Sequence, residues 1–263
     1  MTPLEFDKYE GLGNDFIVVE APEPLPVEAV TRLCDRHFGI GADGVLVVTP
    51  PRTPGARATM IVQNADGSRP EMCGNGLRCV ALHLARKDGV ERTDYVVDTD
   101  AGRKPCTVER SGDEANVSID MGRAVPGGVE RVESDGKILA FERVSMGNPH
   151  AITFSGIPSL SLVDSLGSRI SAETPGGTNV EFVAERGPRS FDLVVWERGV
   201  GRTLACGTGA CATAAALALA GRAPFATPIE IHLPGGPLEI SVTEGTLDVR
   251  MRGPARRVFA GRL

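Results

Sequence analysis

Two short stretches of this chain carry the same spelling. Cys73-Gly74-Asn75-Gly76 and Cys206-Gly207-Thr208-Gly209 each open an apolar run with helical spacing. Over 76–87 the apolar residues fall at Leu77, Val80, Ala81, Leu84 and Ala85, the i, i+3, i+4 rhythm of a helix, and the run stops at Asp88-Gly89. Residues 208–220 are alanine and leucine almost all round and stop at Gly221, which predicts a helix buried on most sides. A third helix is expected over 27–38, with Ala29, Leu33 and Phe38 on one side. Most of the remaining chain reads as short strands bounded by turns such as Asp66-Gly67, Asp135-Gly136 and Gly235-Gly236. The chain therefore divides into two largely β halves, each with one apolar helix. The Gly-, Pro- and charge-rich stretch 124–136 is expected to lie between them.

Size and composition narrow the classes. A chain of 263 residues with 41% apolar and 24% charged residues can bury a substantial core without staples. A net charge of −6, with basic residues scattered rather than patched, argues against nucleic acid and anionic membrane as partners. The opening MTPLEFDKYEGLGNDF has no basic segment leading into an apolar core, so no signal peptide is expected and the protein is expected in the cytoplasm. The longest apolar run, Ala214 to Ala220, is too short to span a bilayer. The six cysteines form no C-x-x-C and the four histidines show no ligand spacing beside them, which argues against zinc. Cys34, Cys79, Cys106 and Cys211 sit in apolar-periodic stretches and read as core filler.

Cys73 and Cys206 read differently. A thiol just before a helix N-terminus lies where unpaired N–H groups and the helix dipole favour negative charge, which stabilises thiolate. The glycines allow an anionic ligand to approach the backbone, and a helix N-terminus suits a carboxylate. Two such sites can invert an amino acid held between them. One thiolate removes the α-proton and the other thiol delivers a proton to the opposite face, with no cofactor. The usual alternative, pyridoxal phosphate, needs a Schiff-base lysine. The four lysines all stand in charged or turn-like contexts, so no cofactor is expected.

The chain resembles the diaminopimelate epimerase family along its whole length. The resemblance rests on EGLGNDFIVV (10–19), GIGADGVLVV (39–48), NADGSRPEMCGNGLRC (64–79), VSMGNPHAI (144–152), GTNVEFV (177–183) and WERGVGRTLACGTGACA (196–212). It implies an α/β fold of two pseudo-symmetric β-rich domains, each with strands wrapped round a central helix and the active site in the cleft between them. The domains expected are 1–121 and 122–253, with 254–263 returning to the first. It also implies an isomerase interconverting L,L- and meso-diaminopimelate for lysine and peptidoglycan precursors. Carried over by motif, Cys73 and Cys206 are the acid–base pair. Gly74, Asn75, Gly207 and Thr208 are helix-N-terminal donors to the substrate's reacting end. Asn14, Asn64, Asn148 and Asn179 match the family's substrate-contacting asparagines, and Arg198 matches the arginine for the distal carboxylate. Glu197 matches a residue at both the substrate and the thiols, and His150 one that tunes the thiols. Asparagine suits a substrate with two carboxylates and two ammonium groups because it both donates and accepts, and a guanidinium binds a carboxylate in bidentate fashion.

Two departures stand out. Some relatives carry glutamine after the aspartate where this chain has Gly44, and SAETPGG lacks the aromatic residue that many place before the proline. Two rival readings remain open on the residues. One is a related two-cysteine racemase of another amino acid; the other is a thiol-redox or binding protein. The expected partner is a small-molecule substrate, with neither nucleic acid nor membrane, and a homodimer is compatible with the sequence.

Overall fold

The computed structural model describes residues 4–134 and 136–263, so the expected turn at Asp135-Gly136 lies partly outside the described residues. The first elements are β1 (Glu5–Gly11), β2 (Asn14–Glu20), α1 (Val27–Cys34), β3 (Gly44–Thr49), β4 (Ala58–Asn64), α2 (Gly74–Asp88), β5 (Arg92–Thr99), β6 (Gly102–Ser111) and β7 (Glu114–Arg123). Next come β8 (Val125–Ser134), β9 (Lys137–Ser145), β10 (Pro149–Thr153), α3 (Leu160–Glu173), β11 (Asn179–Gly187), β12 (Ser190–Glu197) and β13 (Gly201–Arg202). The chain closes with α4 (Gly207–Leu219), β14 (Ile229–Leu233), β15 (Gly236–Val242) and β16 (Asp248–Arg262). Two compact units result: the chain up to Ile119 together with Arg252–Leu263, and Asp120–Met251.

Both units follow one wiring. In the first, β1 and β2 pair antiparallel, α1 crosses over to a parallel β3, β4 returns antiparallel, and α2 crosses over to a parallel β5 that pairs with β6. In the second, β9 and β10 pair antiparallel, α3 leads to a parallel β11, β12 returns, and α4 leads to a parallel β14 that pairs with β15. Parallel neighbours need a crossover element, and each helix supplies one. The last strand enters the first unit at Arg252 and pairs antiparallel with β1, from Glu10↔Arg256 to Glu5↔Arg262.

The central helices are α2 and α4. Residues Gly74–Ala85 of α2 are all buried, and so are Gly209–Ala218 of α4. In α2 this burial stabilises through Leu77, Leu82 and Leu84, each worth about 1.5–3 kcal/mol when removed from water. The alanines of α4 keep that helix slim, so strands can close round it. The charged Arg78, fully buried on α2, donates from Nε to the carbonyl of Pro254 at 2.9 Å and ties the helix to β16. The smaller helices cover separate clusters: Val30 and Leu33 of α1 pack over Ile17, Val45 and Ile61, while Val163, Leu166 and Ile170 of α3 pack over Phe141, Val180 and Phe182.

Three sequence expectations need correction. The stretch 124–136, expected to hold the boundary between the halves, contains β8, paired antiparallel to β9 across a bulge between Pro126 and Gly128. A strand at the end of the pairing order tolerates proline because one row of its backbone groups needs no partner. Helix α1 stops at Cys34, since Asp35 Oδ1 accepts the N–H groups of His37 and Phe38 and turns the chain; Phe38 is 89% exposed. Helix α3 was not anticipated, although Val163, Leu166 and Ile170 hold helical spacing.

Gly167 on α3 shows how closely that helix packs. A Cβ there would lie 2.4 Å from Trp196 Cγ and 2.5 Å from Trp196 Cβ. Alanine gains about 1 kcal/mol of helix preference over glycine, but overpacking of this kind costs about 1–3 kcal/mol. We expect Gly167→Ala to lower the urea midpoint, with a net loss of about 1 kcal/mol. A midpoint at or above that of the wild type would mean Trp196 shifts aside at no cost.

Candidate active site

Each central helix begins on a cysteine. Cys73 is the N-cap of α2, with φ −137° and ψ 114°, and Cys206 is the N-cap of α4, with φ −125° and ψ 101°. Each sulphur accepts the N–H of the third helical residue, Gly76 or Gly209, at 3.4 Å. The N–H groups of the first two residues point out of the helix end by its geometry; they belong to Gly74 and Asn75 in α2 and to Gly207 and Thr208 in α4. The second glycine of each motif is required by packing. A Cβ on Gly76 would lie 2.8 Å from Leu46 Cδ2, and one on Gly209 would lie 2.8 Å from Glu181 Oε1 and 3.2 Å from Cys206 Sγ.

In the first unit the candidates join through side-chain amides. Asn75 Nδ2 donates to Asn14 Oδ1 at 3.1 Å, and Asn14 Nδ2 donates to Asp43 Oδ2 at 2.7 Å. Arg36 holds Asp43 at 2.7 Å and also pairs with Asp15. Asn64 is not bonded into this group. It donates to the Ser68 hydroxyl at 3.0 Å and accepts the Gly67 N–H, within the turn that follows β4. Its strand partner is Gly44, where a Cβ would meet the Gln63 carbonyl oxygen at 2.7 Å. The β4 backbone therefore leaves no space at position 44 for the glutamine of some relatives.

In the second unit almost all candidates form one connected set. Asn148 Nδ2 donates to Thr208 Oγ1 at 3.3 Å, and Thr208 Oγ1 lies 3.6 Å from Cys206 Sγ. His150 Nε2 meets Asn148 Oδ1 at 3.0 Å, and its Nδ1 meets Glu181 Oε1 at 2.6 Å. Asn179 Nδ2 reaches His150 Nδ1 at 3.5 Å, while its Oδ1 accepts the Arg198 N–H at 2.9 Å. The exposed Arg198 side chain donates to the Gly176 carbonyl at 2.7 Å, and its stem fills the space that a Cβ on Gly177 would take, 2.5 Å from Arg198 Cδ. Glu197 accepts from the Thr203 hydroxyl and shares a hydrogen bond with Cys206.

Sequence reasoning missed Glu181, Asp43 and Thr203. Glu181 stood inside a quoted motif, and a carboxylate in the run Asn-Val-Glu-Phe-Val is the signal that could have marked it. The expected thiolate stabilisation also needs correction at Cys206. Burial and the carboxylates of Glu197 and Glu181 push that thiol well above its ordinary value, against the Thr208 hydroxyl and the Gly209 N–H. A helix terminus supplies about 2 kcal/mol at most, whereas full burial shifts a pKa by as much as about 3–5 units. Burial likewise pushes Cys34 up to about 11 and Cys106 up to about 12, in keeping with their filler role. All six cysteines carry thiols. The arrangement can therefore present a protonated thiol whose proton has a neighbouring carboxylate to go to.

The comparisons by sequence agree on one family. The family model described as diaminopimelate epimerase matches residues 6–126 and 143–258. A diaminopimelate epimerase from Synechocystis sp. is 43% identical over 280 residues, covering 98% of this chain and 98% of its own. Diaminopimelate epimerase 1 from Nostoc sp. is 40% identical over 284 residues, covering 99% of each. Among solved structures, a hydroxyproline epimerase from Agrobacterium vitis matches with a TM-score of 0.78 at 15% identity, over 100% of this chain and 91% of the other. At that identity the likeness concerns the fold alone. No described helix is long and apolar enough to cross a membrane.

Glu197 gives this site a measurable signature. Burial raises its pKa, so the folded state holds that proton more tightly than the unfolded chain does. The stabilising contribution is complete below the unfolded value of about 4.3 and is lost as pH rises through the folded value. We expect Glu197→Gln to be more stable than wild type at pH 7, with the advantage vanishing near pH 4, in urea melts across that range. A pH-independent difference would mean that Glu197 is not held in this way.

Proposed function

This chain belongs to the diaminopimelate epimerase family, and from that premise we propose that it interconverts L,L- and meso-diaminopimelate with Cys73 and Cys206 as its acid–base pair. The observation that carries the reading is the repeated cap: two cysteines, one per unit, each held by the same N–H contact at the mouth of a buried helix. One thiolate takes the α-proton; the C–H bond breaks and its electron pair enters the α-carboxylate as an enediolate. N–H groups at the helix ends, from Gly74 and Asn75 and from Gly207 and Thr208, stabilise that charge. The other thiol gives its proton to the opposite face and becomes thiolate, so the product has the inverted centre and the enzyme the exchanged protonation state. Cys206, held protonated, suits the donor role in one direction. The reverse direction starts from the exchanged state that this one leaves, with Cys206 as thiolate and Cys73 protonated; the Glu197 carboxyl, itself held up by burial, is hydrogen-bonded to Cys206.

Substrate selection follows from the remaining candidates. Asn14, Asn64, Asn148 and Asn179 supply amide donors and carbonyl acceptors for the carboxylates and ammonium groups. Arg198, whose guanidinium meets no carboxylate among the described residues, takes the distal carboxylate. The reaction serves lysine and peptidoglycan precursor synthesis, in a reducing cytoplasm that disfavours disulfides.

The test is proton exchange. Reduced wild-type protein in heavy water with L,L-diaminopimelate should place deuterium at the α-carbon alongside meso product, followed by NMR. Cys73→Ala and Cys206→Ala should each cut turnover by at least about 100-fold. Absence of exchange in folded, reduced wild type would sink the proposal.

A further inference from the structure

We propose that Glu181 and His150 form a buried ion pair that polarises a chain of donors, through Asn148 and Thr208, onto the sulphur of Cys206. Glu181 is then a positioning residue for the reaction; the inference rests on the reading of Cys206 as an acid–base group.

Counting protons leads to this reading. The ring of His150 touches an acceptor at each end, Glu181 Oε1 at 2.6 Å from Nδ1 and Asn148 Oδ1 at 3.0 Å from Nε2; the amide of Asn179, 3.5 Å from Nδ1, is too distant to compete with that carboxylate. A neutral imidazole carries one N–H, so serving both acceptors takes the imidazolium. Glu181 supplies the matching charge. Both side chains are fully buried, and Glu181 Oε2 has no hydrogen-bond partner among the described residues, so His150 is the group that balances this carboxylate. With Nε2–H donating to Oδ1, the amide of Asn148 points its Nδ2 to Thr208 Oγ1 at 3.3 Å. The oxygen of Thr208 is then an acceptor on that side, and its own proton is directed to Cys206 Sγ, 3.6 Å away. From His150 Nε2 onward every link donates toward the sulphur, and each bond strengthens the next.

The chain offsets what the surroundings do to this thiol. Glu197 on β12 and Glu181 on β11 both disfavour a thiolate at Cys206, with His150 on β10 as the counter-charge to Glu181. The other strands packed on α4 bring Glu230 and His232, Glu239, Glu142 and Arg143. These are exposed or half-exposed, and His232 pairs with Glu230 and Arg143 with Glu130. Because Glu181 and His150 cancel, their net field at Cys206 is small, and the aligned donors decide their effect.

The direction of one shift separates the two effects. Alkylation of Cys206 by iodoacetamide, assigned by tandem mass spectrometry and followed against pH, reads its thiol titration without turnover. In Glu181→Gln the imidazole loses its charged partner, the donors cease to share one direction, and the titration of Cys206 should move up by about one unit. If Glu181 acted only through its field, removing it would move the titration down. Thr208→Val should move it up similarly, Thr208→Ser should leave it in place, and Glu181→Gln added to Thr208→Val should change nothing more. A downward or absent shift in Glu181→Gln, or a shift of equal size in the Thr208→Val background, overturns the proposal. Should Glu181→Gln not fold, the Thr208 pair decides: valine up with serine unmoved supports the chain, and valine unmoved overturns it. Wild-type protein inactive on diaminopimelate would instead overturn the proposed function and leave this titration to be judged by itself.

Discussion

The structure turns on one contact made twice, a cysteine sulphur accepting the N–H of the third residue in its helix. Serine, threonine, asparagine or aspartate would cap these helices better. Cysteine here accepts a weaker cap in exchange for a sulphur aimed along the helix end. The contact explains the rest of the motif. The third residue must be glycine, because the space its Cβ would need is filled by Leu46 in one unit and by the Glu181 carboxylate in the other. With the third N–H engaged by sulphur, those of the first two residues are directed outward, at the spot where a substrate carboxylate would bring its charge.

The two caps share geometry and differ in surroundings. Cys73 is half-buried and starts a helix packed on leucine, while Cys206 is buried and sits among two carboxylates, a histidine and a hydroxyl. A reaction that runs both ways with exchanged protonation states needs no symmetry between its two acids. It needs each to release and regain a proton at the working pH. In the proposed reaction the carboxyl of Glu197, hydrogen-bonded to Cys206, bears on that condition together with the helix dipole.

Much of this was legible in the chain. The short strands between turns are there, Ala58–Asn64 and Ile229–Leu233 among them, and both central helices declared themselves by periodicity and by the cysteine-glycine opening. The failures have physical reasons. Glycine and proline in 124–136 read as a boundary between the halves and not as a strand because edge position, which makes them tolerable in β8, is a property of the sheet and not of the segment. Helix α3 hid behind its serines, although the wiring places it where α1 stands in the other unit. Glu181 read as an ordinary strand carboxylate. A strand covered on both faces has no outward side, and Asn179–Val183 are all buried; a charge in such a run needs a partner, and only the fold brings His150 to it.

The last strand carries a consequence for biosynthesis. The unit spanning Asp120–Met251 is contiguous, and it leaves the ribosome whole while the first unit still lacks the residues from Arg252 on. Among the pairings of β1 is the one with residues translated only after that whole unit, Glu5 opposite Arg262. Arg78, buried in the heart of that unit, waits for the carbonyl of Pro254. The portion made first is thus finished second, and its open edge stands uncovered through most of synthesis, the interval in which such an edge is most exposed to pairing with other chains.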